Sequence, residues 1–292
     1  DKGFGYRYGV NKVSGAWGWQ ISHASTDNHY DQRDMGLFRR NNFSSLYGLV
    51  SHSNYQQRGN IAATYAHLSL ENTWLRSPTQ WEALEIEGYG ELTNTGRQTF
   101  SLLLISRPLW HYDYFEPRVT GAKYRHAPYV FALPGFRTNT AKRLFAKFQL
   151  SYGESPIPHD PYIGLGIKPT WVASTHLRVI GDFNISKDHS NFGVVDWSNP
   201  ADIIFGRRDI TTFNNEISSE YLFGPRMNVS VRARHYWAKL YYHNYLHLNN
   251  DGTISASDWA GSADENFNQF NLDFVYTWQF APGSFLNLIW KN

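Results

Sequence analysis

Glu85 and Glu87 stand two apart in WEALEIEGYG (81–90). On an extended chain that spacing puts both carboxylates on one face, roughly 7 Å apart by the rise of a strand. Hydrolysis of a glycosidic bond uses such a pair, one as proton donor and one as base or nucleophile. The same pair on a wet strand surface needs no chemistry, and that plainer reading is preferred here. Asn249-Asn250-Asp251-Gly252, followed by Asp258, Asp264 and Glu265, offers oxygen ligands of the kind Ca²⁺ or Mg²⁺ takes. It lacks the opening Asp and closing Glu of an EF-hand loop, so it reads as an acidic turn. His243 and His247 have the spacing that grips zinc on a helix. On a strand they are too far apart, and no His-Glu-x-x-His occurs. A Gly-x-Ser-x-Gly elbow, a P-loop and a dinucleotide fingerprint are all missing. With no cysteine, thiolate chemistry and disulfides are excluded. No catalytic residue, metal or cofactor is expected.

Three other constellations carry fixed charge. The connections at 26–42 and 111–128 hold Asp31, Arg33, Asp34, Arg39 and Arg40, then Tyr112, Asp113, Tyr114, Glu116 and Arg118. Aromatic rings among Asp and Arg can stack on and hydrogen-bond a sugar. They also suit a loop folded into a channel through salt bridges, and plugging is the preferred reading. Arg39-Arg40 and Arg207-Arg208 could meet lipopolysaccharide phosphates, or pack as ordinary loop arginines. Glu216, Glu220, Arg232, Arg234 and Asp273 fall on the polar sides of successive segments and are expected to form a cross-strand charge ladder.

The elements that position these residues are strands. In 266–280, Phe270, Leu272, Phe274, Tyr276 and Trp278 alternate with Asn271, Asp273, Val275 and Thr277. The same period of two recurs in 143–152, 161–171, 177–186 and 227–237. Ala281-Pro282-Gly283-Ser284 and Asn94-Thr95-Gly96-Arg97 read as tight turns. Strands are expected at 3–10, 15–25, 43–54, 59–75, 80–93, 98–110, 129–137, 143–153, 161–172, 177–187, 201–222, 227–248, 265–280 and 284–292. Short joins alternate with long polar ones at 26–42, 111–128, 188–200 and 249–264.

About 14 antiparallel strands with alternating short and long joins is the pattern of an all-β, up-and-down transmembrane barrel. Aromatics make up 17% of the 292 residues, and Trp74, Trp81, Trp110, Trp171, Trp237 and Trp290 gather near strand ends, as at a membrane interface. A soluble sandwich, propeller or jelly roll would alternate too. It would not leave Glu85, Glu87, Glu216, Glu220, Arg232 and Arg234 on its inner face. The apolar side, with Phe270, Leu272, Phe274, Tyr276 and Trp278, is therefore expected to touch lipid. The polar side is expected to line a lumen. A net charge of +2 gives no argument for a nucleic-acid partner. With short turns in the periplasm, both chain ends fall outside. That predicts either a barrel truncated at each end, about 16 or more strands in the whole protein, with an upstream segment beyond Asp1, or a strand count off by one at each end.

YDQRDMGLFRRNNF (30–43), YDYFEPR (112–118), DIIFGRRDITT (202–212), RARHYW (232–237) and YTWQFAPGSFLNLIWKN (276–292) run through nearly the whole chain. In order and spacing they resemble the C-terminal barrel of a family of Bacteroidota outer-membrane proteins of unknown function. There the barrel follows an N-terminal family-9-like carbohydrate-binding domain. The resemblance implies a bacterial outer-membrane location, lipid and lipopolysaccharide as surroundings, an absent upstream domain and further strand after Asn292. It carries over no catalytic residue. The expected role is a membrane anchor or scaffold for an associated domain or protein complex, with the lumen plugged by loops. The alternatives are a channel for small solutes or glycans, and a membrane-associated glycan hydrolase whose chemistry lies upstream.

Overall fold

A computed structural model describes residues 2–31, 40–155 and 159–292, and among them there is no helix. The strands are β1 Gly5–Lys12, β2 Trp17–Thr26, β3 Phe43–Asn54, β4 Ile61–Leu75, β5 Gln80–Asn94 and β6 Thr99–Arg107. A small hairpin follows, β7 His111–Asp113 with β8 Tyr124–His126. Then come β9 Tyr129–Arg137, β10 Leu144–Glu154, β11 Tyr162–Val172, β12 Leu177–Asp196, β13 Ile204–Gly224, β14 Met227–Leu248, β15 Ile254–Ala256, β16 Glu265–Ala281 and β17 Ser284–Lys291. Apart from β7 and β8, they form one 15-stranded antiparallel sheet of up-and-down order, with β15 paired to β14 off the main path. Among the described residues, β1 and β17 are each paired on one side only, and the sheet does not close.

Register explains why the sheet has one apolar face. Residues directly opposite across an antiparallel ladder share a face. Leu70 stands opposite Ile86, Leu150 opposite Leu165, Leu165 opposite Ile185, Val231 opposite Phe274, and Phe274 opposite Trp290. Glu71 stands opposite Glu85, Ser69 opposite Glu87, Glu216 opposite Arg234, and Arg232 opposite Asp273. A slip of one residue in any strand would turn its apolar set to the polar side. No second layer covers the apolar face among the described residues: Phe270 is 56% exposed, Leu165 57% and Trp290 52%. Pro282 and Gly283 occupy the centre of the tight β16–β17 turn, where Gly283 takes a positive φ of 75° that favours glycine.

Strand lengths divide the sheet. β10 and β11 have 11 residues each, but β12, β13 and β14 have 20, 21 and 22. The three long strands run on at the long-loop end, and register shifts at Asp188/Asn191 and Arg207/Arg208 mark where they do. The connection expected at 188–200 is therefore strand as far as Asp196. Its polar run Asp188-His189-Ser190-Asn191 is absorbed by the bulge. The buried apolar cluster, Tyr124, Ile203, Phe205 and Leu248, sits on this extension and not under the middle of the sheet.

Candidate functional site

After β6 the chain does not turn straight back into β9. Residues 108–128 cross the polar face of the sheet and form a lid. Asp113 starts the crossing, because its Oδ1 accepts from the backbone N–H groups of Phe115 (2.7 Å) and Glu116 (2.9 Å) and bends the chain there. Glu116 Oε1 then accepts from Val194 N–H of β12 at 3.0 Å. Tyr124 packs its ring 4.8 Å from Phe205, with Val119 and Ala122 of the lid against the same cluster. Arg125 N–H donates to Gly252 O at 2.8 Å, beyond β14.

The opposite end of the lid is fastened to β3–β5. Arg40, just before β3, donates through both Nη atoms to the two oxygens of Glu82, at 2.8 and 2.7 Å. Its guanidinium carbon lies 5.1 Å from the ring centre of Phe115 in the lid. Tyr114 O–H donates to Trp81 O at 3.2 Å. Within the lid, Lys123 lies 4.7 Å from the Tyr112 ring, and Arg118 of the lid lies 5.9 Å from the ring of Trp197, just past β12. The lid thus joins strands that are far apart in the sheet order.

Two hollows lie between lid and wall, of about 440 and 370 Å³. Both are lined by Glu85, Arg107, His111 and His126, which form a partition between them. Arg107 holds Glu85 through Nε (3.0 Å) and Nη2 (2.9 Å). His111 and His126 are cross-strand partners with rings stacked 5.0 Å apart. Burial takes both imidazoles below their ordinary range; His111 and Arg107 add to the effect, and His126 is brought down to about 4. In the second hollow burial pushes Asp160 up to about 6, although Ser155 N–H donates to it at 2.9 Å. Ser155 is 5% exposed, and its buried Oγ has no hydrogen-bond partner among the described residues. Glu71 in the first hollow has no hydrogen bond or ion pair among the described residues.

Of the loop residues singled out in the sequence, Arg40, Tyr112, Asp113, Tyr114, Glu116 and Arg118 come together in or against the lid. Asp31 is exposed, and Arg33, Asp34 and Arg39 lie outside the described residues. Glu85 and Glu87 do share a face, but each has its own base: Arg107 for Glu85, and His67 at 2.9 Å for Glu87. The charge ladder forms around one residue. Asp273, 7% exposed, takes Arg234 at 2.7 Å and Arg232 at 3.4 Å. Glu216 is in register with Arg234, and Glu220 with Ser230, yet neither glutamate makes an ion pair among the described residues. Asp273 is directly opposite Arg232 and diagonal to Arg234, so a single buried carboxylate collects both guanidinium groups.

Arg207 and Arg208 are occupied internally. Arg207 donates to Ser190 Oγ at 2.8 Å, and Arg208 to Asn191 Oδ1 at 3.1 Å and to the Tyr242 hydroxyl at 2.8 Å. They fasten the β12–β14 extension. His243 pairs with Asp209 (3.2 Å) and His247 with Asp202 (2.7 Å), so the two do not converge. Asp251 accepts from Thr253 N–H at 2.9 Å and closes its own turn. Among the described residues no group of three or more His, Asp or Glu is placed to hold a metal ion. Sequence reasoning missed Glu71, Glu82, Arg107, His126, Ser155 and Asp160 as one neighbourhood. Strand parity was a signal for Glu71, Glu82 and Arg107 alone, since Ser155 and Asp160 lie between β10 and β11 and the lid that gathers them has three-residue strands too short to show a period.

No helix is long and apolar enough to cross a membrane, a statement that says nothing about strands. No curated protein and no solved structure matches the chain. A family model described as a domain of unknown function (DUF5916) matches residues 1–292, and the chain belongs to that family.

Proposed function

We propose that the chain is the wall of a bacterial outer-membrane β-barrel that serves as an anchor or scaffold, its lumen closed by the 108–128 lid. Three features support the membrane reading. Large apolar side chains stand exposed along one face of most strands, among them Tyr8, Leu68, Leu150, Leu165, Phe270 and Trp290. The 11-residue strands β10 and β11 have the length needed to cross a bilayer at a tilt, about 9–11 residues. Trp17, Trp171 and Trp278 stand exposed at the short-turn end, where an interface would hold them. A bilayer does not tolerate the free outer edges of β1 and β17. The reading therefore requires each edge to be paired, with the other or with further strands.

The observation that carries the scaffold reading is the double fastening of the lid, to β3–β5 through Arg40, Glu82 and Tyr114, and to β12–β14 through Glu116 and Tyr124. The polar wall and the hollows under the lid favour a second reading, a channel for small solutes. Planar-bilayer recording on the purified full-length protein separates the two. The scaffold reading expects a closed baseline with rare, brief openings. Steady large conductance would reject it in favour of the channel. Recovery of the full-length protein in the soluble fraction after expression with its natural leader would reject both.

A further inference from the structure

Two lysines interrupt the apolar face in a single row. Lys187 of β12 stands opposite Thr211 of β13, and Thr211 opposite Lys239 of β14. Residues directly opposite share a face, so the three lie side by side. Ile163 continues the row on one side and Asn266 on the other. The next row toward the short turns is Leu165, Ile185, Phe213 and Trp237, which places the lysines on the apolar side of the sheet. Arg178, Arg232 and Arg234 of the same strands lie on the other side, in register with Glu220, Ser218 and Glu216.

The height of the row is informative. Ile163 is the second residue of the 11-residue strand β11, so the row lies at the long-loop edge of the band that this strand spans. Trp237 is one row inside that edge, stacked 5.0 Å from Phe213, and its indole N–H donates to Asn266 Oδ1 at 2.6 Å. A lysine facing lipid is costly at the bilayer midplane and nearly free at headgroup level, where its ammonium reaches outward. Both lysines are exposed, and among the described residues neither makes a hydrogen bond or an ion pair. One row nearer the long loops, Asp209 stands opposite Tyr241, but its carboxylate already takes Ser190 N–H at 3.0 Å and His243 at 3.2 Å. The two positive charges are left uncompensated by the protein.

We infer that Lys187, Thr211 and Lys239 form a binding site for the phosphate of an anionic membrane lipid in the leaflet at the long-loop end. The inference rests on the membrane reading above and adds a lipid contact to it. Two strand spacings separate the lysine backbones, roughly 10 Å, a gap that two lysine side chains close on one phosphate held between them. The ammonium groups donate to its oxygens in charge-assisted hydrogen bonds, and the Thr211 hydroxyl donates from between them. The acyl chains then run over Ile185, Phe213 and Trp237, the row on the hydrocarbon side.

Native mass spectrometry of the detergent-solubilised full-length protein tests this, with phosphatidic acid, phosphatidylcholine and inorganic phosphate as probes. Phosphatidic acid is expected to bind about tenfold more tightly than phosphatidylcholine, whose choline offsets the phosphate charge, and inorganic phosphate is expected not to displace it. Lys187→Gln combined with Lys239→Gln is expected to weaken phosphatidic acid about 30-fold, from ~1 kcal/mol for each basic residue beside an anionic lipid and ~1.4 kcal/mol per factor of ten. Lys187→Arg with Lys239→Arg is expected to bind it as tightly as the parent. Lys147→Gln, in register with Lys168 on the polar side, is expected to change nothing. Equal binding of the two lipids, unchanged binding in the double Gln variant, or displacement by inorganic phosphate overturns the site. A nitroxide at 185 in lipid vesicles separates that failure from failure of the membrane reading. Access to dissolved oxygen there leaves the membrane reading standing when the site falls, and access to a water-soluble nickel chelate removes both.

Discussion

Replacing Tyr124 by alanine should release one end of the lid. The ring is buried against Phe205, Ile203 and Leu248, residues that are 0, 4 and 6% exposed. Truncating an aromatic residue in a packed site costs about 3–5 kcal/mol. This cluster is small and lies at the end of a sheet, so the lower figure applies, about 3 kcal/mol. At ~1.4 kcal/mol per factor of ten, the population with the lid undocked should rise about 100-fold. Trypsin reads this directly, because Arg118, Lys123 and Arg125 are all lid residues. Where the lid recloses faster than it is cut, the cleavage rate follows the open population. Cleavage between 118 and 125 in the reconstituted full-length protein should therefore quicken about 100-fold in Tyr124→Ala. It should stay near the parent rate in Tyr124→Phe, whose lost hydroxyl makes no hydrogen bond among the described residues. Phe205→Ala should act from the sheet side, and the double variant should fall short of additivity by about 1 kcal/mol, the coupling of one aromatic pair. Cleavage of Tyr124→Ala at the parent rate would refute the docking of the lid on β12–β14.

The remaining expectations concern charge. Asp273→Asn should lower stability to urea by about 1–3 kcal/mol, because Arg232 and Arg234 are left side by side with no carboxylate, though both remain partly hydrated; Glu216→Gln and Glu220→Gln should stay within about 0.5 kcal/mol of the parent. Acid should act on the docked lid in two opposed ways, measured by lid amide hydrogen exchange against pH. His126 is near 4 when docked and 6.5 when free, so between pH 6.5 and 4 the open lid binds the proton and docking weakens as pH falls. Asp160 is near 6 when docked and 3.8 when free, so over pH 6 to 3.8 the docked form binds the proton and docking strengthens. His126→Phe should reduce the weakening, leaving the share of His111, and Asp160→Asn should reduce the strengthening; slopes unchanged by both substitutions would remove these groups from the lid equilibrium.

The strands were legible because each has one apolar and one polar face, which gives Phe270 to Phe280 and its counterparts a period of two. The ranges 43–54, 129–137 and 227–248 coincide with β3, β9 and β14. The lid was not legible as structure. His111–Asp113 and Tyr124–His126 are three residues long, and what orders them is distant: Phe205 is 81 positions beyond Tyr124 in sequence, Val194 is 78 beyond Glu116, and Glu82 is 42 beyond Arg40. The composition of 111–128 offered aromatics and fixed charges for holding a loop, but it could not reveal that hydrogen bonds of Asp113, Tyr114 and Glu116 and ring contacts of Tyr124 and Arg118 would hold it, with no ion pair of the lid among the described residues. Pairing within the charge ladder was illegible for the same reason, since parity placed Glu216 and Arg234 on one face, but a diagonal contact to the buried Asp273 took the arginine.

The central claim is that hydrocarbon covers the apolar face. Single nitroxide labels at each position from 268 to 279, in the full-length protein reconstituted in lipid vesicles, test it most directly. Labels at 270, 272, 274, 276 and 278 should collide freely with dissolved oxygen and poorly with a water-soluble nickel chelate, and those at 271, 273, 275 and 277 the reverse. Nickel access at 272 and 274 equal to that at 271 and 273 would mean that water, not lipid, lies against Leu272 and Phe274, and the barrel, its lumen and the anchoring role would all fall.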